Sequence, residues 1–441
     1  MDEIKKLSII GAGISGIGAA KLALKMGAEV FISDGKPTEK LEEELKNAGL
    51  SEKVKFEGGG QSDKIYDSDL IVVSPAVWIN SPIFEEAQKR GIEVIGELEF
   101  AFRQSKCRWV AITGSTGKST TVSMLNAIFD ESEIPHCLCG NIGFSAAELA
   151  PELPEAVCDG ARFGVAICEV SSFQLETIKD FCPTVAVILN LYPNHLDRHP
   201  NIDEYYSIKQ KISQNMKDGL VITTSEPCLT ASDTELLKKW AKKQKNHFFY
   251  NEETDENLLA KIKENIKLAG NHNIYNAVIG YKIAKYFGIE DEKIFAGISK
   301  FAGLEHRMEF AGCAPDAVKF YNDSKSTTGE SMLAAISGFA EKSVHLIVGG
   351  KDKGVPFSDY KDEIYKYCAA VYSIGEASGR IRECWGEIVA ECGTLENAVK
   401  TAAKNAKAGD SVVLSPACAS FDQFKSFEDR GKKFKEIVRA L

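Results

Sequence analysis

Val110-Ala111-Ile112-Thr113-Gly114-Ser115-Thr116-Gly117-Lys118-Ser119-Thr120-Thr121 is the stretch whose reading decides the fold of this chain. The apolar run Trp109 to Ile112 reads as a buried parallel strand that breaks into a glycine-rich turn. Val122, Leu125 and Ile128 then recur at helical spacing. Strand, glycine loop, Lys-Ser and helix make a phosphate site. Glycines let backbone N–H groups converge on phosphate oxygens, and the helix N-terminus adds partial positive charge. Lys118 adds a full charge, and Ser119 can hold a magnesium ion. Gly114 and Gly117 stand closer together than the glycines of the standard Walker motif, so an ordinary strand-to-helix turn is the competing reading. The strand before, the helix after and the adjoining lysine favour nucleotide binding.

Upstream, Leu7 to Ile10 reads as a strand ending in Gly11-Ala12-Gly13-Ile14-Ser15-Gly16, followed by an Ala- and Leu-rich helix. A second strand, Val30 to Ser33, ends at Asp34. Read alone, this fingerprint says NAD, with the acid on a ribose; another diphosphate ligand on the same fold is the alternative. Strands at Leu70 to Val73, before Ser74-Pro75, and at Gly91 to Ile95 continue the unit, and Gly96-Glu97 reads as a domain boundary.

Downstream, strands are expected at Phe163 to Glu169, Thr184 to Asn190 and Leu220 to Thr223. Glu169 ends its strand, where parallel sheets bind ligands, so a magnesium ligand is its natural role and a solvated strand-end acid the alternative. Asn190 to Asp197 follows another strand end; His195 and Asp197 suit metal or substrate, with His199 close by. By spacing alone Lys209, in a predicted helix, is one of several surface lysines. Asn273 and Asn276 open the helix His272 to Phe287, either reading an adenine edge or capping the helix.

A third alternating region starts at Gly303-Leu304-Glu305-His306-Arg307, with strands at Val318 to Asn322, Val344 to Val348, Val371 to Ile374 and Val412 to Leu414 and a last helix from Phe427 to Leu441. Arg307 suits a terminal phosphate or an ordinary linker. Asn322 to Thr327, Gly349 to Lys353 and Ser415 to Phe424 follow strands on one sheet edge; they form either a small-molecule pocket or ordinary turns. Three consecutive α/β units with parallel sheets follow from the alternation.

The chain has 441 residues, 44% hydrophobic and 26% charged, which fits about three globular domains. Its net charge of −10 argues against nucleic acid. No run approaches the about 18 apolar residues of a membrane span, and Met1-Asp2-Glu3 leads straight toward a strand rather than a signal peptide. Twelve cysteines show no zinc spacing, Cys137-x-Cys139 being the sole close pair, so they read as buried thiols of a reducing cytoplasm.

Together these stretches resemble the Mur ligase family over nearly the whole chain. The shared motifs are the Thr113 to Thr120 loop, Glu169, His195, His272-Asn273 and His306-Arg307. Ser415 to Phe427 and Asn322-Asp323-Ser324-Lys325 are similar to the member that adds D-glutamate. The resemblance implies three domains: residues 1–96, Rossmann-like and UDP-binding; residues 97–303, a central P-loop ATPase-like sheet; and residues 304–441, Rossmann-like, mobile and amino-acid-binding. It replaces NAD at the first loop by a uridine diphosphate near Gly13, Ile14, Ser15, Asp34 and Ser74, with Asn141 at the muramoyl part. ATP would meet Gly114, Ser115, Thr116, Gly117, Lys118, Ser119, Thr120, Asn273, Arg307 and Asp323. Two magnesium ions are implied, one on Ser119 and Glu169 and one on His195 and a carbamylated Lys209. Lys118, Glu169, His195 and Lys209 would be the catalytic set. Thr327, Lys353, Ser420 and Phe427 would take D-glutamate. Thr116 and Thr328 depart from the family, which usually has Asn at the first position and often at the second.

The implied activity is ATP-dependent addition of D-glutamate to UDP-N-acetylmuramoyl-L-alanine through an acyl phosphate, in peptidoglycan precursor synthesis, by a cytoplasmic monomer. Another ligase of the superfamily, such as a folylpolyglutamate synthase, is the nearest alternative. A nicotinamide-dependent oxidoreductase resting on Gly11 to Gly16, and a nucleotide-binding protein without catalysis, are the rivals from other classes.

Overall fold

The computed structural model describes residues 4–155, 163–192, 198–199, 201–223, 231–268, 270–314, 317–352 and 354–441. The chain forms two compact units, residues 1–266 with 274–301, and residues 267–273 with 302–441.

The first unit holds two sheets. In one, β1 (Lys6–Ile10), β2 (Glu29–Asp34), β3 (Lys55–Gly58), β4 (Leu70–Val73) and β5 (Glu93–Gly96) lie in the order β3-β2-β1-β4-β5, all parallel. Leu7, Ile9 and Ile10, which point to both faces of the strand, are all buried, as expected of a strand covered by helices on both sides. The order reverses between β1 and β4. Gly11 to Gly16 and Ser74 follow the C-terminal ends of these two strands, where open α/β sheets bind ligands.

The other sheet of this unit comprises β6 (Arg108–Thr113), β7 (His136–Gly140), β8 (Val165–Glu169), β9 (Val185–Ile188), β10 (Leu220–Thr223) and β11 (Asn246–Phe249), in the parallel order β11-β10-β9-β6-β8-β7. Here the order reverses at β6, which has β8 on one side and β9 on the other. The loop after β6 is therefore flanked by the end of β8, carrying Glu169, and the end of β9, followed by Asn190.

The second unit contains β12 (Glu309–Cys313), β13 (Lys319–Asn322), β14 (Val344–Gly349), β15 (Cys368–Ile374), β16 (Val389–Gly393) and β17 (Ser411–Leu414), ordered β12-β13-β17-β14-β15-β16. An all-parallel sheet was the expectation; β12 corrects it by pairing antiparallel with β13, with a bulge between Phe310 and Gly312. An antiparallel neighbour needs only a short connection, whereas a parallel one needs a crossover. The loops after β13, β14 and β17 emerge at one edge because these three strands are parallel neighbours.

Among the described residues no helix is long and apolar enough to cross a membrane. The described cysteines are free thiols, and burial raises the pKa of Cys107 to about 11 and of Cys368 to about 12.

Candidate active site

The phosphate loop begins where β6 ends. Gly117, at φ 82°, precedes the helix Lys118–Asp130 in the left-handed region that glycine enters without strain. A Cβ on Gly114, at φ 152°, would stand 3.0 Å from Leu189 Cβ. Ser119 and Thr120 are buried in the first helical turn, beside N–H groups that have no partner within the helix. Lys118 Nζ donates to the carbonyl oxygens of Gly114 at 2.8 Å and Ser115 at 3.1 Å. The loop is clamped by Asn190. Its Oδ1 accepts from the N–H groups of Ser115 at 3.0 Å and Thr116 at 2.9 Å, and its Nδ2 donates to the Thr116 carbonyl at 3.2 Å. Thr116 meets Asn190 through its backbone, so this clamp does not depend on its side chain.

Glu169 stands abreast of that loop because β8 pairs with β6, Glu169 opposite Ile112. Its Oε1 accepts from Asn141 Nδ2 at 2.9 Å. Its Oε2 is buried and has no hydrogen-bond partner among the described residues. Lys209 corrects the surface reading: it is 1% exposed. The helix Ile202–Gln210 points it inward, where Nζ donates to Thr113 Oγ1 at 3.3 Å and the Gly114 carbonyl at 3.1 Å. It also sits 4.6 Å from the Tyr205 ring centroid. Burial, then the nearby Lys118 charge, drives the Lys209 pKa well below its usual value, against the opposing pull of Glu169. The orphaned carboxylate oxygen of Glu169 and the Ser119 hydroxyl at the helix start are oxygen donors that suit a hard divalent cation. His195 and Asp197 lie outside the described residues. His199 is buried, its Nε2 3.1 Å from Ser172 Oγ and its ring 5.2 Å from that of Tyr205, which makes it a packing residue.

At the first glycine loop, Asp34 Oδ2 accepts from the Ala12 N–H at 2.6 Å and Oδ1 from the Lys36 N–H at 2.9 Å. Both oxygens thus brace local backbone instead of standing open for a ribose. Ser74 Oγ donates to the Gly11 carbonyl at 3.2 Å, and a Cβ on Gly11 would lie 2.6 Å from that hydroxyl. Gly13 and Ile14 are exposed at the lip, Ile14 by 68%, and Ser15 is half-buried behind them.

Asn273 and Asn276 are both buried on the helix Asn271–Tyr286. A Cβ on Gly117 would meet Asn276 Oδ1 at 3.4 Å, so this amide adjoins the phosphate loop.

In the second unit Asp323 is buried at the end of β13. Ser326 and Ser415 hydroxyls donate to its Oδ2 and the Met308 N–H to its Oδ1. Burial pushes its pKa up to about 6, against those bonds and the Arg307 charge. Arg307 Nε is buried with no hydrogen-bond partner among the described residues. Ser420 is buried, Thr327 and Phe427 are half-buried, and the Phe427 ring meets the edge of His306 at 6.2 Å. Lys353 lies outside the described residues. Thr328 caps the helix Gly329–Ile336, its side chain accepting from the Ser331 N–H, a job that asparagine performs equally well. Glu305, His306 and Glu309 bring their side chains together as metal ligands would, but Lys435 Nζ already bridges Glu305 at 2.7 Å and Glu309 at 2.8 Å and supplies the positive charge.

Sequence reading missed Arg430, which is fully buried and bonded to no carboxylate among the described residues. Its Nε donates to Ser324 Oγ at 3.0 Å, and its Nη2 to the carbonyls of Ser324 at 3.0 Å and Cys418 at 3.1 Å. Longer bonds reach Gly349 and Ala419, so one guanidinium fastens the loops after β13, β14 and β17. Burial lowers its pKa to about 10. The signal was present: Arg430 shares helical spacing with Phe434, Ile437 and Val438, on an apolar stripe where a solvated arginine does not belong.

Family models agree along the length of the chain. One described as the Mur ligase middle domain matches residues 112–284, one described as the MurD-like N-terminal domain matches residues 5–96, and one described as the glutamate ligase domain matches residues 306–418. The chain is 36% identical over 453 residues to the UDP-N-acetylmuramoylalanine–D-glutamate ligase of Koribacter versatilis, covering 99% of this chain and 98% of that one. It is 36% identical over 446 residues to the protein of the same name from Aquifex aeolicus, covering 98% of each. Among solved structures, the UDP-N-acetylmuramate-alanine ligase MurC of Thermotoga maritima is similar in fold, with a TM-score of 0.58 at 17% identity over 99% of both chains.

Proposed function

This chain belongs to the Mur ligase family, and from that premise we propose that it is the ATP-dependent ligase joining D-glutamate to UDP-N-acetylmuramoyl-L-alanine in peptidoglycan precursor synthesis. The observation that carries the catalytic part of this reading is the buried group formed by the phosphate loop, Glu169 with its unpartnered oxygen, and Lys209. A carboxylate is a poor electrophile. Transfer of the γ-phosphoryl group of ATP to it supplies a leaving group; the amine of D-glutamate then attacks the carbonyl carbon and phosphate departs. The chain's contribution is positioning and charge neutralisation.

We assign the ATP phosphates to Gly114, Ser115, Thr116, Gly117, Lys118, Ser119 and Thr120, with Asn273, Arg307 and Asp323 as further ATP contacts. Magnesium would be held by Ser119 and Glu169, and a second ion by His195 and Lys209, neutralising charge on the phosphates. Lys209 suits carbamylation because an amine attacks carbon dioxide only when unprotonated: the N–C bond forms, a proton leaves, and the cation becomes an anion. Gly13, Ile14, Ser15, Asp34, Ser74 and Asn141 are assigned to the UDP-linked substrate, and Thr327, Lys353, Ser420 and Phe427 to D-glutamate. Asp34 and Ser74 would act on that substrate chiefly through the loop they brace. Functional domains at 1–96, 97–303 and 304–441, a monomeric state and a cytoplasmic site of action belong to the same reading.

The test is phosphate release from ATP in the presence of UDP-N-acetylmuramoyl-L-alanine, comparing D-glutamate with L-glutamate, D-alanine, L-lysine and no amino acid. Release stimulated by D-glutamate alone is expected. Stimulation by another amino acid would move the specificity, and saturable NADH binding without phosphate release would return the first glycine loop to a nicotinamide.

A further inference from the structure

Arg198 has no role in the assignments above, yet its side chain is almost fully buried and saturated with partners. Nε donates to Glu176 Oε1 at 3.2 Å and Nη2 to Glu176 Oε2 at 2.6 Å. Nη1 donates to the Pro75 carbonyl at 2.8 Å and Nη2 to the Val77 carbonyl at 3.0 Å. The guanidinium lies 4.2 Å from the Phe173 ring centroid and 5.6 Å from that of Trp78, which is 50% exposed. Pro75 and Val77 belong to the loop that follows β4 and begins at Ser74, the residue bracing Gly11. Glu176 immediately follows the short helix Ser172–Leu175, which itself follows Glu169. The neighbouring His199 packs on Tyr205, whose hydroxyl is 3.2 Å from Ser115 Oγ in the phosphate loop. One side chain therefore ties a loop of the first sheet to the elements around Glu169 in the second.

We propose that Arg198 is a positioning residue for the ligase reaction: it holds the Ser74 to Trp78 loop in register with Glu169 and the phosphate loop, so that the UDP-linked substrate is bound with its carboxylate placed for phosphoryl transfer. This rests on the ligase reading above. The geometry demands arginine. Two carbonyl oxygens and a bidentate carboxylate are met by one planar fork, which the single ammonium of lysine cannot reproduce. The loop from Ala76 to Asn80 is mostly exposed and belongs to no strand or helix, so these bonds set its place.

The experiment is steady-state kinetics on the full chain, wild type against Arg198→Ala, Arg198→Lys and Glu176→Gln, varying each substrate in turn. For Arg198→Ala, KM for UDP-N-acetylmuramoyl-L-alanine is expected to rise about tenfold or more and kcat to fall, with KM for D-glutamate within about twofold of wild type. Arg198→Lys should restore little of the loss. Glu176→Gln, which spares both carbonyl bonds, should shift the same constant by less. A purely structural role would lower the active fraction and leave every KM in place; that result, or three KM values rising together, overturns the proposal. A wild type without D-glutamate-dependent turnover overturns the ligase reading and this inference with it, whereas an active wild type with an unmoved KM in all three variants overturns this inference alone.

Discussion

Asn190→Ala removes the side chain that clamps the phosphate loop while sparing the bond from the Ser115 N–H to the Asn190 backbone carbonyl at 3.2 Å. Three side-chain hydrogen bonds are lost. At about 1 kcal/mol net for each neutral bond, the ceiling is about 3 kcal/mol. Ser115 is buried but Thr116 is only half-buried, so water recovers part of that, leaving about 2 kcal/mol. If ATP must re-impose the order that Asn190 now provides, its affinity falls about 30-fold. Asn190→Asp separates order from charge. Its carboxylate keeps both acceptor bonds and loses the donor to Thr116, but it places a negative charge beside the phosphate site. The two variants should therefore rank in opposite directions: stability as wild type, Asp, Ala, and ATP affinity as wild type, Ala, Asp. Calorimetric titration with a non-hydrolysable ATP analogue and magnesium, beside urea unfolding, measures both. ATP affinity in Asn190→Ala within about twofold of wild type would refute the clamp, and tighter binding in Asp than in Ala would refute the charge penalty.

The depressed Lys209 pKa means that the folded chain binds fewer protons than the unfolded one between that depressed value and the usual 10.5; the cost to stability is full below this window and fades as pH rises through it. In bicarbonate-free buffer Lys209→Met should resist urea better than wild type at neutral pH, the gap closing toward about pH 10, and should lose turnover. Asp323 works in the opposite sense: with its pKa raised from 3.8 to about 6, stability falls as pH climbs through that window and the full cost stands above it. The stability of Asp323→Asn relative to wild type should accordingly rise by up to about 3 kcal/mol between about pH 4 and 7.5, read from urea midpoints. Arg430→Met leaves the Ser324 and Cys418 carbonyls without their donor, which should cost about 2–4 kcal/mol in denaturant unfolding and raise KM for D-glutamate more than KM for the UDP-linked substrate.

Which strands were legible in the sequence follows from their place in the sheets. Central strands such as β1, β4, β6 and β8 are covered on both faces and read as apolar runs. The strands not foreseen, β3, β7, β11, β12 and β16, all lie at sheet edges. Lys55-Phe56-Glu57-Gly58 and Val389-Ala390-Glu391-Cys392-Gly393 show why: with one edge open, polar and small residues break the apolar signal. The candidate site divides in the same way. The glycine loops and the strand-end acids announce themselves because short-range geometry dictates residue type. Lys209 does not, because its burial depends on how the helix Ile202–Gln210 brings it to the end of β6, a fact of tertiary packing that a lysine in an ordinary helix does not encode. Asn190 was visible as a strand-end residue, but its clamp requires knowing that β9 adjoins β6.

The bond from Asn141 Nδ2 to Glu169 Oε1 joins a residue assigned to the sugar nucleotide to one assigned to the cation. A single amide cannot be reoriented by one ligand without altering what the other encounters. Equilibrium makes that influence reciprocal: whatever factor the sugar nucleotide contributes to cation affinity, the cation returns to the sugar nucleotide. The four dissociation constants, each ligand measured with and without the other, must close a thermodynamic cycle, and the change in its coupling free energy on Asn141→Ala is what this contact contributes.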